Sequence, residues 1–505
     1  MQLNGKYLSK NMIFFTLTRF LRIKNDFSFD FFKTALYSKG AKNNERCNML
    51  VQFSVENYLS FGEETTLSML PAKSRKQKDH IIHCTKGKSV SVLPLAAFYG
   101  ANASGKSNFV KAVDFFRTLI LGEIDTIKSI PVSLFKLREE NTEKPARFEI
   151  VFKHEGILYT YGAILSSKQV YEEWLFARYS SFEKKIFERV TDDDGKTKVQ
   201  AGPILAQSIN GKQKAVDLLA SILAPRKLFL TECLERGGVS ALLKPVLFWF
   251  ENCLHILSPM TKCSTLPIRA ERDEKFLEFF NNFIVASDTG ISAIKSMKEI
   301  FDADKHLKDV SENFKRRLLG DIDKIKALKT GKNALLAVYL PGNYFNILID
   351  PRGEVFYVQL SIQHKNNKGK DVPFEIFEES DGTQKLMHLT PMLLNALQQE
   401  QVYVLDELDC NLHSLLSIAF LKVFLRGITQ NGARSQFIFT THDTNLLDSD
   451  LLRRDEILFV EKDKDGCSHI TSLADYKVSD GLRIGNGYLY GRFGAIPYLK
   501  NMSKF

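Results

Sequence analysis

One octapeptide constrains this chain more than any other feature. Gly100-Ala-Asn102-Ala-Ser104-Gly105-Lys106-Ser107 fits GxxxxGK[ST] without a mismatch. The preceding Val92–Tyr99 reads as a buried strand, and Asn108–Ile120 as an amphipathic helix with Phe109, Val113, Phe116 and Ile120 on its apolar side. In that strand–loop–helix setting the glycines let backbone N–H groups wrap phosphate oxygens. Lys106 neutralises the β and γ oxygens, Ser107 coordinates Mg²⁺, and the helix N-terminus adds its dipole. Gly100, Asn102, Ser104, Gly105, Lys106, Ser107 and Asn108 are therefore the expected triphosphate contacts, with ATP and Mg²⁺ as cofactors.

A second motif lies far downstream. Val402-Tyr-Val-Leu405-Asp406-Glu407 is an apolar strand ending in paired carboxylates. Alone it would read as a strand before a solvated acidic turn. Beside a phosphate loop, Asp406 is expected in the Mg²⁺ shell and Glu407 to polarise the attacking water. The separation of 300 residues between Lys106 and Asp406 exceeds what ring-forming AAA+ motors place in one compact domain, and fits an ABC-type head split by an insertion. Ser380 in Glu379-Ser380-Asp381-Gly382-Thr383 stands 26 residues before Asp406, ahead of an apolar helix, where an ABC signature loop belongs. Gln436–His442 reads as a strand ending at a switch histidine.

With these motifs the sequence resembles the AAA-domain ATP/GTP phosphatases of bacterial defence loci, relatives of the OLD ATPases with heads similar to those of SMC and RecF proteins. The resemblance runs from about Leu50 to the C-terminus and is carried by Asn57–Phe61, Gly100–Ser107, Glu379–Gln384, Leu405–His413 and Thr440–Asp443, with Ser287–Ile291 and Gly491–Pro497 also typical. It implies an α/β P-loop NTPase of ABC-ATPase type, a split two-lobe head with a helical insertion. By the same resemblance Glu407 and His442 are catalytic, Ser107 and Asp406 hold the metal, and Asp409 with His413 forms a dimer-contacting loop. Ser380 and Gly382 would reach the phosphates of a partner protomer. ESDGT stands where LSGGQ is usual, Asp443 replaces a serine, and Gln169 is the only guess for a Q-loop glutamine.

Composition limits the rest. Hydrophobic residues make up 44% and charged residues 25%, and no window approaches a membrane-spanning run. Seven dispersed cysteines without a CxxC pair argue against a disulfide framework and for a reducing, cytoplasmic setting. Residues 1–48 hold nine basic and three acidic side chains in no sustained pattern, and Met49 is as good a start as Met1. Lobe I is expected over 49–184, a mainly helical insertion over 185–334, and lobe II over 335–505. The basic clusters at 73–78 and 315–332 read as solvated faces, with a nucleic-acid partner left open. Sixty-three residues follow His442, too few for the Toprim nuclease of OLD proteins. The expectation is an ATPase switch in anti-phage defence, a homodimer or higher homo-oligomer that controls a separate nuclease-like effector away from membranes. The rival readings are a DNA-repair ATPase and a nucleotide-dependent scaffold.

Overall fold

Leu95-Ala-Ala-Phe-Tyr99 is apolar at every position and buried throughout, and such a run suits a strand covered on both faces. It lies inside a six-stranded sheet whose order is Leu254–Leu257, Val402–Leu405, Gln436–Thr440, Leu95–Tyr99, Ile457–Lys462 and Ser468–Ser472. The first five strands are parallel and the last is antiparallel. The computed structural model describes residues 12–15 and 47–497, apart from 75–76, 88, 181, 209–212, 236–241, 309, 329–331, 341–342 and 479–482.

The chain divides into two compact units. The first comprises Lys42–Pro259, Ala396–Asp409 and Ser417–Phe505. Besides the parallel sheet it holds an antiparallel sheet of seven strands, from Thr197–Ala201 at one edge through Glu183–Thr191, Val170–Arg178, Ile157–Leu165, Ala146–His154 and Met49–Glu56 to Thr65–Ser68. Helix Lys106–Ile120 binds the two sheets together. The Phe109 ring lies 5.6 Å from Phe53 of the antiparallel sheet and 4.9 Å from Phe98 of the parallel one. On the parallel sheet, Phe437 is enclosed by Tyr403 at 4.9 Å and by Phe420 and Phe424 of helix Ser414–Asn431 at 5.4 and 4.7 Å.

The second unit contains Met260–Asn395 and Cys410–Leu416. Its sheet runs Met12–Phe15, Asn333–Leu340, Asn343–Ile349, Val355–Lys365 and Ile291–Ile300, with Asp371–Phe374 on Val355–Lys365. Helix Glu274–Val285 covers it through Phe276, Phe280 and Ile284, all fully buried. Met12–Phe15 pairs in parallel with Asn333–Leu336, so part of the unpatterned leader is a strand; most of residues 1–46 lies outside the described residues.

Two features lie beyond the sequence reading. Helices Pro203–Ser208 through Glu312–Ala327 predominate in residues 185–334, but the segment also holds the end of Glu183–Thr191, Thr197–Ala201, Leu254–Leu257 and Ile291–Ile300, and the third of these is a strand of the parallel sheet itself. A four-residue apolar run next to an apolar helix carries no period that separates strand from helix. Among the cysteines, Cys47 and Cys84 form one disulfide, while the other five are in none. A single bridge between residues 37 apart leaves no spacing signature. Among the described residues no helix is long and apolar enough to cross a membrane.

Candidate active site

The phosphate loop sits where a fully apolar strand stops and a helix starts, as its sequence requires. Gly105 has φ +119°, and a Cβ there would lie 2.3 Å from Ser468 Oγ, so neither the backbone nor the space admits a side chain. Lys106 is buried, and its Nζ donates to Gly100 O (2.7 Å) and Ala101 O (3.1 Å), curling the loop around its own ammonium. Burial holds the Lys106 pKa below its ordinary value, while Asp406, Glu407 and Asp409 pull it upward. That opposition is what an ammonium between carboxylates and an anion site experiences.

Asp406 joins the two distant motifs. Its Oδ1 accepts from Ser107 Oγ at 3.0 Å and from Thr440 Oγ1 at 2.7 Å. Strand pairing explains the meeting: Val402–Leu405 lies beside Gln436–Thr440, which lies beside Leu95–Tyr99, so three strands end at one edge. Brought together there are the loop of one, the carboxylates of the second and the hydroxyl of the third. Open parallel sheets place ligands at this carboxyl edge. Thr440 Oγ1 also accepts from Glu407 N (2.7 Å). Glu407 itself has φ +52°, a left-handed conformation costly for a residue with a side chain.

The switch region follows. The strand ends at Thr440, two residues short of His442. The His442 N–H donates to Asp409 Oδ2 at 3.1 Å. Asp409, assigned by resemblance to a dimer loop, thus braces the histidine of its own chain. Desolvation and then the Lys106 charge lower the His442 pKa, opposed by Asp409, Glu407 and Asp406. Asp443 accepts from Asn445 N (3.0 Å), and this is what an acid does in place of serine there. Gln169, the Q-loop guess, donates to Asp192 O at the exposed end of a hairpin.

In the second unit, Ser380 Oγ accepts from Thr383 N (3.2 Å) and so caps helix Asp381–Gln398. A Cβ on Gly382 would meet Asn411 O at 2.5 Å, which excludes any other residue there. Helix Glu312–Ala327, at the second basic cluster, has Lys315 paired with Asp304 and Lys324 with Asp321, each at 2.9 Å. Arg75, Lys76 and Lys329 lie outside the described residues.

Sequence reading did not find the hairpin behind the phosphate loop. Ser468 Oγ donates to Ser104 O (2.6 Å), Ser468 N donates to Ser60 O (2.7 Å), and Asn108 Nδ2 donates to Ser60 Oγ (2.9 Å). Serines scattered this widely carry no pattern; only the Asn57–Phe61 motif pointed to Ser60.

The residues present fit a Mg²⁺–triphosphate. Ser107 and Asp406 offer the hydroxyl and carboxylate oxygens a hard cation takes. Around them Ser104 Oγ, Asp409 Oδ1 and Asp443 Oδ2 are buried without a hydrogen-bond partner in the protein, and buried polar atoms are rarely left so.

Among solved structures, the SMC head domain from Thermotoga maritima is similar at 14% identity and a TM-score of 0.34, covering 85% of this chain and 99% of that one. The recombination mediator RecF with ATP, from the RecFOR pathway, is similar at 14% and 0.32, covering 84% and 100%. No curated protein matches the chain. The profile of one family does, over residues 95–222 and 246–448, the span that holds the phosphate loop, the acidic strand and the switch region. The chain belongs to that family, described as "AAA domain, putative AbiEii toxin, Type IV TA system".

Proposed function

We propose that this chain is an ATP-hydrolysing switch of ABC type, acting in anti-phage defence by nucleotide-driven dimerisation that controls a separate effector. The observation that carries the ATPase reading is Asp406 Oδ1, shared between Ser107 and Thr440 at 3.0 and 2.7 Å. The family's description as a putative toxin of a toxin–antitoxin system supports the defence setting.

The roles follow from the chemistry. Lys106 and the loop N–H groups bind the phosphates and neutralise their charge. Ser107 and Asp406 would hold Mg²⁺, which when bound spreads the negative charge of the β- and γ-phosphates. Glu407 accepts the proton of the attacking water as its oxygen bonds to the γ-phosphorus and the β–γ bridge breaks. His442 donates a hydrogen bond to the departing phosphoryl oxygens, and Asp409 fixes its backbone for that. Ser380 and Gly382, at a helix N-terminus, reach the phosphates of a partner protomer.

Two variants test this. Glu407→Gln keeps shape but loses the base, so ATP should bind and remain while phosphate release falls ~10²–10⁴-fold. Ser380→Arg should bind ATP as single heads. Light scattering with ATP should then report dimers for Glu407→Gln and monomers for Ser380→Arg. A native hydrolysis rate in Glu407→Gln, or normal dimers in Ser380→Arg, contradicts the composite-site mechanism.

A further inference from the structure

The hairpin that braces the phosphate loop carries a second chemistry. Its turn and outgoing strand bring Asp463, Cys467 and His469 together, with one ligand atom of each within 4.8 Å of the others. Asp463 Oδ2 and His469 Nε2 are already 3.0 Å apart. Donors around a tetrahedral Zn²⁺, bound at ~2.0–2.3 Å, stand roughly 3.5 Å from one another. Small side-chain rotations therefore close the set.

The surroundings are built as a metal site's would be. Asp463 Oδ1 is fixed by the N–H groups of Asp465 and Cys467, both at 2.9 Å, which leaves Oδ2 to His469 and to Arg138, whose guanidinium donates to it at 3.2 Å. The Cys467 side chain is fully buried, and its Sγ accepts from Gly62 N at 3.0 Å. Asp463 and His469 are about one-third exposed, at 30% and 36%, so an ion has a path inward. The competing cation is Arg138, which reaches Asp463 (3.2 Å), Asp465 (3.0 Å) and Glu63 (2.7 Å). One guanidinium among three carboxylates leaves an excess of two negative charges. Arg138 can release Asp463 and keep the other two.

We infer that Asp463, Cys467 and His469 form a binding site for a thiophilic divalent cation of the Zn²⁺ class, with a fourth position open to water. The mixed thiolate, imidazole and carboxylate set excludes Mg²⁺ and Ca²⁺ as preferred occupants. Cys467 and His469 flank Ser468, the first residue of the strand, whose side chain points to the other face and holds Ser104 O of the phosphate loop. Pinning Cys467 and His469 therefore stiffens the wall behind Gly105. That coupling rests on the nucleotide reading above; the metal site itself does not.

The test uses the full chain, stripped with a chelator and titrated with Co²⁺ and then Zn²⁺. One equivalent of Co²⁺ should give a thiolate-to-cobalt charge-transfer band that Zn²⁺ abolishes. His469→Ala and Cys467→Ser should each weaken Zn²⁺ binding ~10-fold or more. His469→Ala, at the more exposed position, should melt as the parent does, so it remains informative if Cys467→Ser fails to fold. No band at one equivalent, or a band unchanged in His469→Ala, overturns the site. Zn²⁺-loaded, desalted protein should bind ATP several-fold more tightly than stripped protein. Equal affinities would overturn the coupling, while the cobalt band reads the site without nucleotide.

Discussion

Thr440 shows how one hydroxyl can hold two neighbouring carboxylate residues in place. It donates to Asp406 Oδ1 and accepts from Glu407 N, so it fixes both the expected metal ligand and the left-handed backbone of the expected base. Thr440→Val preserves shape but leaves the half-buried Glu407 N–H without its partner, at a cost of up to about 1–3 kcal/mol. We expect turnover to fall ~10-fold or more, with a lowered melting temperature, and Thr440→Ser to restore both; steady-state kinetics with thermal melting will show it. An unchanged kcat in Thr440→Val would remove Thr440 from the site. Lys106, Ser107, Asp406 and Glu407 were legible because each occupies a fixed place in a short motif. Thr440 was legible only as part of a strand end, since its work is done toward residues 33 and 34 positions away.

Among elements, the phosphate loop and its wall depend on each other. Gly105 is where loop and hairpin touch, and Gly105→Ala would force φ +119° on an alanine and a Cβ against Ser468 Oγ. The strain is about 1–3 kcal/mol, and relief requires the loop to open. We expect loss of ATP binding by calorimetry, with the fold retained by circular dichroism. Native affinity would mean that the wall yields instead. The strands and helices near the loop were readable from apolar runs and period: Leu95–Tyr99, Val402–Leu405 and helix Lys106–Ile120 fall within a few residues of their predicted bounds. Leu254–Leu257 was not, because its partner Val402–Leu405 is distant and only the pairing makes it a strand. The same reason hid the Cys467–His469 hairpin, whose residues acquire meaning from Gly62, Ser60 and Ser104.

For the whole molecule, two buried histidines predict how stability responds to acid. Burial pushes His255 down to about 4, opposed by its hydrogen bond with Gln401. Burial, with Lys262 and Lys385, pushes His388 down to about 3. Each stays neutral in the fold but takes a proton in the unfolded chain below about pH 6.5, so the unfolded state binds more protons and stability falls with pH. Between pH 7 and 5 each unit should lose about 2 kcal/mol from its histidine. Urea unfolding at the two pH values measures this, and His388→Gln should flatten the response of the second unit; equal midpoints would refute it. The strand order has a consequence in time. Phe437 pairs with Leu95, so the strand that ends in the phosphate loop leaves the ribosome roughly 17–70 s before that neighbour, at ~5–20 residues per second. Its other neighbour, Ile457–Lys462, is made later still. During that interval the strands of the antiparallel sheet, complete by Ala201, have all been made, while those of the parallel sheet have not. The nascent protein therefore passes through a long stage with an apolar strand awaiting both partners, a natural client for a holding chaperone.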